Sequence, residues 1–202
     1  RIDSFKNIVR FHPSEDFIDK PKYKKDTGSR MTIFSYNANR TTFNKLGKKI
    51  TGGSLTKKYR EISQVLCTYG VRKKILAHVK KVRSGRAIFD YLKKVNVDYT
   101  FLGHRNTVSR IKDSIEPPYL PPRVDRAYRS FTGGFQVLCY CLHKYDRVYI
   151  CGFDGLSGVL KGNKHGHFYG KGGVSRRSHS LAAESGIIRK LMRITSKIEI
   201  LE

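Results

Sequence analysis

Residues Ser130 to Asp154 read SFTGGFQVLCYCLHKYDRVYICGFD. The stretch opens on Thr132-Gly133-Gly134 and continues from Phe135 to Leu142 as an almost unbroken apolar run. Such a run, entered through a threonine and two glycines, predicts a helix buried on a sheet. After a short polar corner, Arg147 to Cys151 predicts a buried strand that stops at Gly152. A buried helix feeding a buried strand is the repeating piece of an α/β protein.

Working outward, the same alternation recurs. Downstream, Gly155 to Arg177 is rich in Gly, Lys and Arg and reads as loop. Ser180 to Ser196 then carries Leu181, Ile187, Ile188, Leu191 and Ile194 as a helical stripe, and Lys197 to Leu201 predicts a closing strand. Upstream, strands are predicted at Asn7 to Phe11, Met31 to Tyr36, Ile75 to Val79 and Val97 to Leu102. Helices are predicted over Leu55 to Tyr69, Gly85 to Val95 and Thr107 to Ile115. Four of the six prolines fall in Glu116 to Pro122 (EPPYLPP), an extended connection. Neither side of it holds enough strands for a separate domain, so a single domain over 1–202 is expected. Strand and helix alternation of this kind predicts an α/β fold with a mostly parallel sheet and flanking helices.

The totals bound the partners. In 202 residues there are 41 Lys and Arg against 16 Asp and Glu, a net charge of +25. That surplus favours anionic partners, among them nucleic acid and nucleotide phosphates, without choosing between them. No apolar run approaches the roughly 20 residues of a membrane helix, so no membrane anchor is expected within this chain. Cys67, Cys139, Cys141 and Cys151 lack the spacing of a zinc site, and three of them sit in apolar segments as buried thiols would.

Three groups of residues could carry chemistry. Thr132-Gly133-Gly134 heads a predicted helix, where unpaired amides and the dipole receive a phosphate; alone, it reads as an ordinary N-cap. Gly152 to Gly155 ends a predicted strand, the edge at which ligands of parallel sheets bind, with Asp154 a turn former. His165, His167 and His179 share one basic, glycine-rich region followed by Glu184. A histidine there could take a proton from an acceptor hydroxyl or stabilise a departing phosphate. Their spacing does not suit zinc, and no metal is expected.

Together these pieces resemble the animal-type sialyltransferases. In that family a small motif, Pro-Ser-Thr-Gly, leads a helix and then a strand ending Tyr-Gly-Phe-Gly. Here Ser130-Phe131-Thr132-Gly133 leads to Tyr149-Ile150-Cys151-Gly152-Phe153. The family's His-Tyr-Tyr is matched by His167-Phe168-Tyr169, and its His, four residues and Glu by His179 and Glu184. Ile2-Asp3-Ser4 with Val9-Arg10-Phe11 resembles the end of the large motif, and Thr27 to Thr32 the Gly-Thr-Lys-Thr-Thr that follows it. The likeness covers both ends of the chain in family order and leaves Asn37 to Arg129 unmatched.

The resemblance implies a Rossmann-like nucleotide-sugar fold and an inverting, metal-independent transfer from a CMP-sugar to a glycan hydroxyl, with no cofactor. By carry-over, His179 is the general base and His167 assists departure of the phosphate. Thr132, Gly133, Gly134, Gly152, Tyr169 and His12 contact the substrate side, and Glu184 supports His179 or the cytidine. The chain also departs from the pattern. His12 stands where the family has a donor-contacting asparagine, Phe131 replaces a serine, and Tyr145 takes the small-motif disulfide position. The family's opening strand and Gly-Asn donor loop are expected to be missing from this chain. An active enzyme of this kind belongs in the Golgi lumen or in a viral or bacterial type of cytoplasm. The alternative is a degenerate member of the fold, serving as a basic RNA-binding or structural component of a ribonucleoprotein assembly or organelle.

Overall fold

The computed structural model of the chain describes residues 2–11, 28–37, 60–69, 90–103, 132–151 and 181–201. The chain forms two compact units, Arg1–Leu102 and Gly103–Glu202. The predicted strand Ile75 to Val79, the helix Thr107 to Ile115, the proline-rich connection and the loop after Gly155 lie outside the described residues.

The first unit holds a four-stranded sheet of β1 (Val9–Phe11), β2 (Ile33–Asn37), β3 (Gln64–Tyr69) and β4 (Asp98–Gly103), in that spatial order. β1, β2 and β3 run parallel, with Val9 opposite Ile33 and Ile33 opposite Gln64. The Asp98 amide donates to the Ser63 carbonyl at 3.0 Å, which sets the start of β4 beside the start of β3. Each described strand is thus laid beside the preceding one in chain order.

The helix expected over Leu55 to Tyr69 is overturned where the residues are described: Gln64–Tyr69 is strand β3. Tyr59, Ile62, Val65, Leu66 and Tyr69 do fall at helical spacing. However, Val65, Leu66 and Cys67 are consecutive and all wholly buried. Successive residues of a strand point to opposite faces, so only a strand covered on both faces buries three in a row this way. The β-branched and aromatic content of Gln64–Tyr69 suits such a position.

Between β3 and β4, residues 90–94 are helical and Leu92 is buried, whereas Val95 is 38% exposed and lies off the buried stripe. The helix stops at Asn96, whose φ of 55° is left-handed. Its amide donates to the Lys93 carbonyl, and the next amide, of Val97, reaches back to Leu92 at 2.9 Å. Two terminal carbonyls are satisfied this way, and buried Leu92 and Val97 flank the turn.

Among the described residues, the second unit holds α1 (Gly133–Lys144), β5 (Val148–Ile150), α2 (Leu181–Ile194) and β6 (Ile198–Ile200). β5 and β6 are parallel, with Val148 opposite Ile198. α1 contributes Phe135, Leu138, Cys139 and Leu142 to the core, spaced as one helical face. Ile187, Ile188 and Leu191 of α2 meet them over Ile150 and Ile198 of the strands. Each large side chain buried here contributes about 1.5–3 kcal/mol. The α/β architecture with a mostly parallel sheet, expected from the alternation of segments, is what the chain adopts.

One exposed position in α2 is open to improvement. A Cβ on Gly186 would meet nothing within 4 Å, and the residue lies mid-helix on the outer face. Gly186→Ala is expected to raise stability by about 0.5–1 kcal/mol, because alanine lowers the backbone entropy lost on folding. Urea unfolding of the two proteins measures the change.

Candidate functional site at the head of α1

Thr132 is the N-cap of α1, with extended φ and ψ of −63° and 155°. Its carbonyl accepts from the Gln136 amide at 3.1 Å, and its Oγ1 accepts from the Phe135 amide at 3.2 Å. The hydroxyl proton is therefore free to point elsewhere, and it is donated to Glu184 Oε2 at 2.7 Å. The backbone amide of Thr132 donates to the other carboxylate oxygen, Oε1, at 2.5 Å. Glu184, in the first turn of α2, thus grips the cap residue of α1 with both oxygens.

Glu184 is wholly buried. Burial penalises its charged form and pushes the carboxyl up to about 7, against the two hydrogen bonds from Thr132, which favour the ion. A carboxyl so placed holds or releases a proton near neutral pH. Gly133 and Gly134, half-buried, form the first residues of the helix and put no side chain beside their backbone. Backbone amides at that position carry the positive end of the helix dipole.

Thr132 and Glu184, 52 residues apart, were each expected at a substrate site, and the fold brings them into direct contact. The contact differs in kind from the one expected. Glu184 sits on the cap itself, occupying the Thr132 amide. His12, His167, Tyr169, His179 and Gly152, with His165 and Asp154, lie outside the described residues.

A second polar cluster was not anticipated. Asp3, in the 3-10 turn Ile2–Ser4, accepts from the Ser29 amide at 2.8 Å, the Ser29 hydroxyl at 3.0 Å and the Arg30 amide at 2.9 Å. Burial works against the Asp3 charge. Yet the Arg30 and Ser29 amides, the Ser29 hydroxyl and the nearby Arg10 together hold its carboxyl below the ordinary value. Arg30 in turn reaches the carbonyls of Asp3 and Phe5 and pairs with Glu61 at 2.8 Å. The Thr32 hydroxyl accepts from the Ile8 amide at 2.7 Å, and the Ser63 amide donates to the Thr32 carbonyl at 2.9 Å. These bonds knit the amino ends of β1, β2 and β3 together. In the sequence, Ile2-Asp3-Ser4 and Thr27 to Thr32 stood out only as two pieces of the resemblance, with no contact expected between them.

Cys67, Cys139 and Cys141 are buried, whereas Cys151, expected at the end of a buried strand, is exposed. Burial pushes Cys67 up to about 11 and Cys141 up to about 12, so both are poor nucleophiles near neutral pH. Among the described residues, no three His, Cys, Asp or Glu gather as a metal site, and no helix is long and apolar enough to cross a membrane. Compared with protein-family models, curated proteins and solved structures, the chain matches none of them.

Proposed function

We propose that the chain is a sialyltransferase-like glycosyltransferase of Rossmann-like fold. It would move a sugar from a CMP-activated donor to a glycan hydroxyl, with inversion and without a metal or cofactor. The observation that carries the reading is the Thr132–Glu184 pair. The head of the small motif and the glutamate that closes the series are joined by two hydrogen bonds across 52 residues. The two pieces of the large-motif resemblance are tied similarly, Asp3 holding Ser29 and Arg30.

The chemistry asks little of the protein. A phosphate monoester leaves readily, so one base and a positively polarised cradle suffice. In this reading His179 takes the acceptor proton and His167 supports the departing phosphate. The first amides of α1, at Gly133 and Gly134, face the nucleotide. Glu184 fixes the cap from behind, so that these amides hold one direction.

The test is turnover of CMP-activated sugars by the intact chain, read as released CMP, alongside CMP binding by calorimetry. The reading requires saturable CMP binding and CMP release that His179→Ala abolishes while its thermal unfolding stays that of the wild type. Wild-type protein that neither binds CMP nor releases it from any activated sugar rejects the reading.

A further inference from the structure

The outward face of the β5–β6 pair carries a basic and aromatic surface that the transferase reading does not use. Side chains alternate along a strand, and Val148, Ile150 and Ile198 turn inward to the core, with both helices packed on that side. Arg147 and Tyr149 therefore face the other way, and the Arg147 Nη1 lies 3.5 Å from the Tyr149 hydroxyl. Tyr149 is in register with Glu199, and the Val148 amide donates to the Lys197 carbonyl at 2.7 Å, which sets Lys197 beside Arg147. Just before Arg147 in the chain, α1 ends with Lys144, whose Nζ donates to the Tyr140 hydroxyl at 3.2 Å and lies 5.7 Å from the centre of the Tyr145 ring. Lys144, Arg147 and Lys197 are exposed; Tyr145 and Tyr149 are half-buried.

Cations at helix C-termini are common, because the dipole favours them. That accounts for Lys144 and for Arg193 in the last turn of α2. It does not account for Arg147 and Lys197, side by side where the two strands begin, or for Tyr149 two residues further along on the same face. Exposed acids nearby are Asp146 and Glu199, and Glu184 is buried away from this face. The surface keeps a positive balance in a chain whose net charge is +25.

We infer that this edge binds single-stranded nucleic acid, with Lys144, Arg147 and Lys197 on backbone phosphates and Tyr145 and Tyr149 beneath bases. Cations that track a backbone, interleaved with rings on which bases stack, are the combination that grips a single strand without reading its sequence. Among the described residues no large apolar side chain is exposed on this outward face of β5 and β6, so a membrane surface would gain the cations and nothing to bury in its acyl region. The inference is independent of the transferase reading and goes beyond it.

Anisotropy of a labelled oligouridylate of about 15 nucleotides, with the intact chain, tests it. Arg147→Gln/Lys197→Gln is expected to weaken binding about tenfold or more and to make the dependence of log K on log salt shallower by about 1.4. Tyr149→Ala weakens binding further, and Tyr149→Phe, which keeps the ring, does not. Lys93→Gln/Lys94→Gln removes the same charge from exposed positions of the first unit and serves as the control. It is expected to leave binding within about twofold, the response of exposed charges that contact no phosphate. Far-UV circular dichroism confirms that each variant is folded. Equal weakening by the two double variants overturns the inference, as it would mean diffuse attraction. Preferential capture by phosphatidylserine vesicles, with RNA binding indifferent to Arg147 and Lys197, overturns it also and assigns the surface to a membrane.

Discussion

Glu184→Gln is expected to gain stability over the wild type as pH rises through the window from 4.5 to about 7, the ordinary and the folded values of this carboxyl. Because the folded protein holds the Glu184 proton more tightly than the unfolded chain does, raising the pH through that window costs the wild type stability. The penalty is absent below the unfolded value and complete above the folded one, where it amounts to about 3 kcal/mol. Glutamine keeps the shape and one carbonyl oxygen for the Thr132 donors but has no proton to lose. The difference in unfolding temperature between the two proteins should therefore change by roughly 6–12 °C between pH 4 and pH 8. Other titrating groups are common to both proteins and cancel in the difference. Parallel curves would mean that water reaches the carboxyl. Glu184→Ala provides the contrast: it shares the pH-dependent gain, having no carboxyl to titrate, but strands the Thr132 amide and weakens the cap, so its curve runs parallel to that of Glu184→Gln and about 2 kcal/mol lower.

The parts of the fold legible in the sequence are those whose burial is one-sided. α2 shows Ile187, Ile188 and Leu191 as a stripe because its other face, with Arg189 and Arg193, is solvated. α1 was legible for a different reason: length and the glycine entry marked it, although eight consecutive residues, Phe135 to Leu142, are buried. β3 was misread because a strand covered on both faces loses the alternation that identifies strands, and its apolar positions then match any period. In the candidate site, the identities of Thr132 and Glu184 were legible as motif members, but their mutual contact was not. Nothing in a linear sequence says that a glutamate in the first turn of one helix caps the cap of another. The same limit hid the role of Asp3. Gly28 and Ser29 speak for local backbone geometry alone, whereas the carboxylate that binds the Ser29 amide comes from 26 residues away.

The same segment yields the other large expected effect: Gly28→Ala should destabilise the first unit by about 4 kcal/mol, through two separable terms. Gly28 has a φ of +69°, where a side chain costs about 1 kcal/mol or more whatever its surroundings. A Cβ there would also stand 2.4 Å from Asp3 Oδ1 and 2.9 Å from its Cγ. The carboxylate is the mobile end of its side chain and could swing away. Doing so breaks its bonds to the Ser29 amide, the Ser29 hydroxyl and the Arg30 amide, each of which involves a charged acceptor. Two amides at the entry to β2 would then lose their acceptor. A double-mutant cycle separates the terms. In an Asp3→Ala background the obstructing carboxylate is gone, so Gly28→Ala should cost only the backbone term, about 1 kcal/mol, leaving a coupling of about 2–3 kcal/mol between the positions. Acid adds an independent reading. The depressed carboxyl of Asp3 stabilises the fold above its unfolded value of 3.8, and that contribution disappears as pH falls through the lower folded value. Asp3→Asn should therefore flatten the acid limb of the stability curve. Additive costs in the cycle together with an unchanged acid limb would show that Asp3 does not hold the Gly28–Arg30 turn.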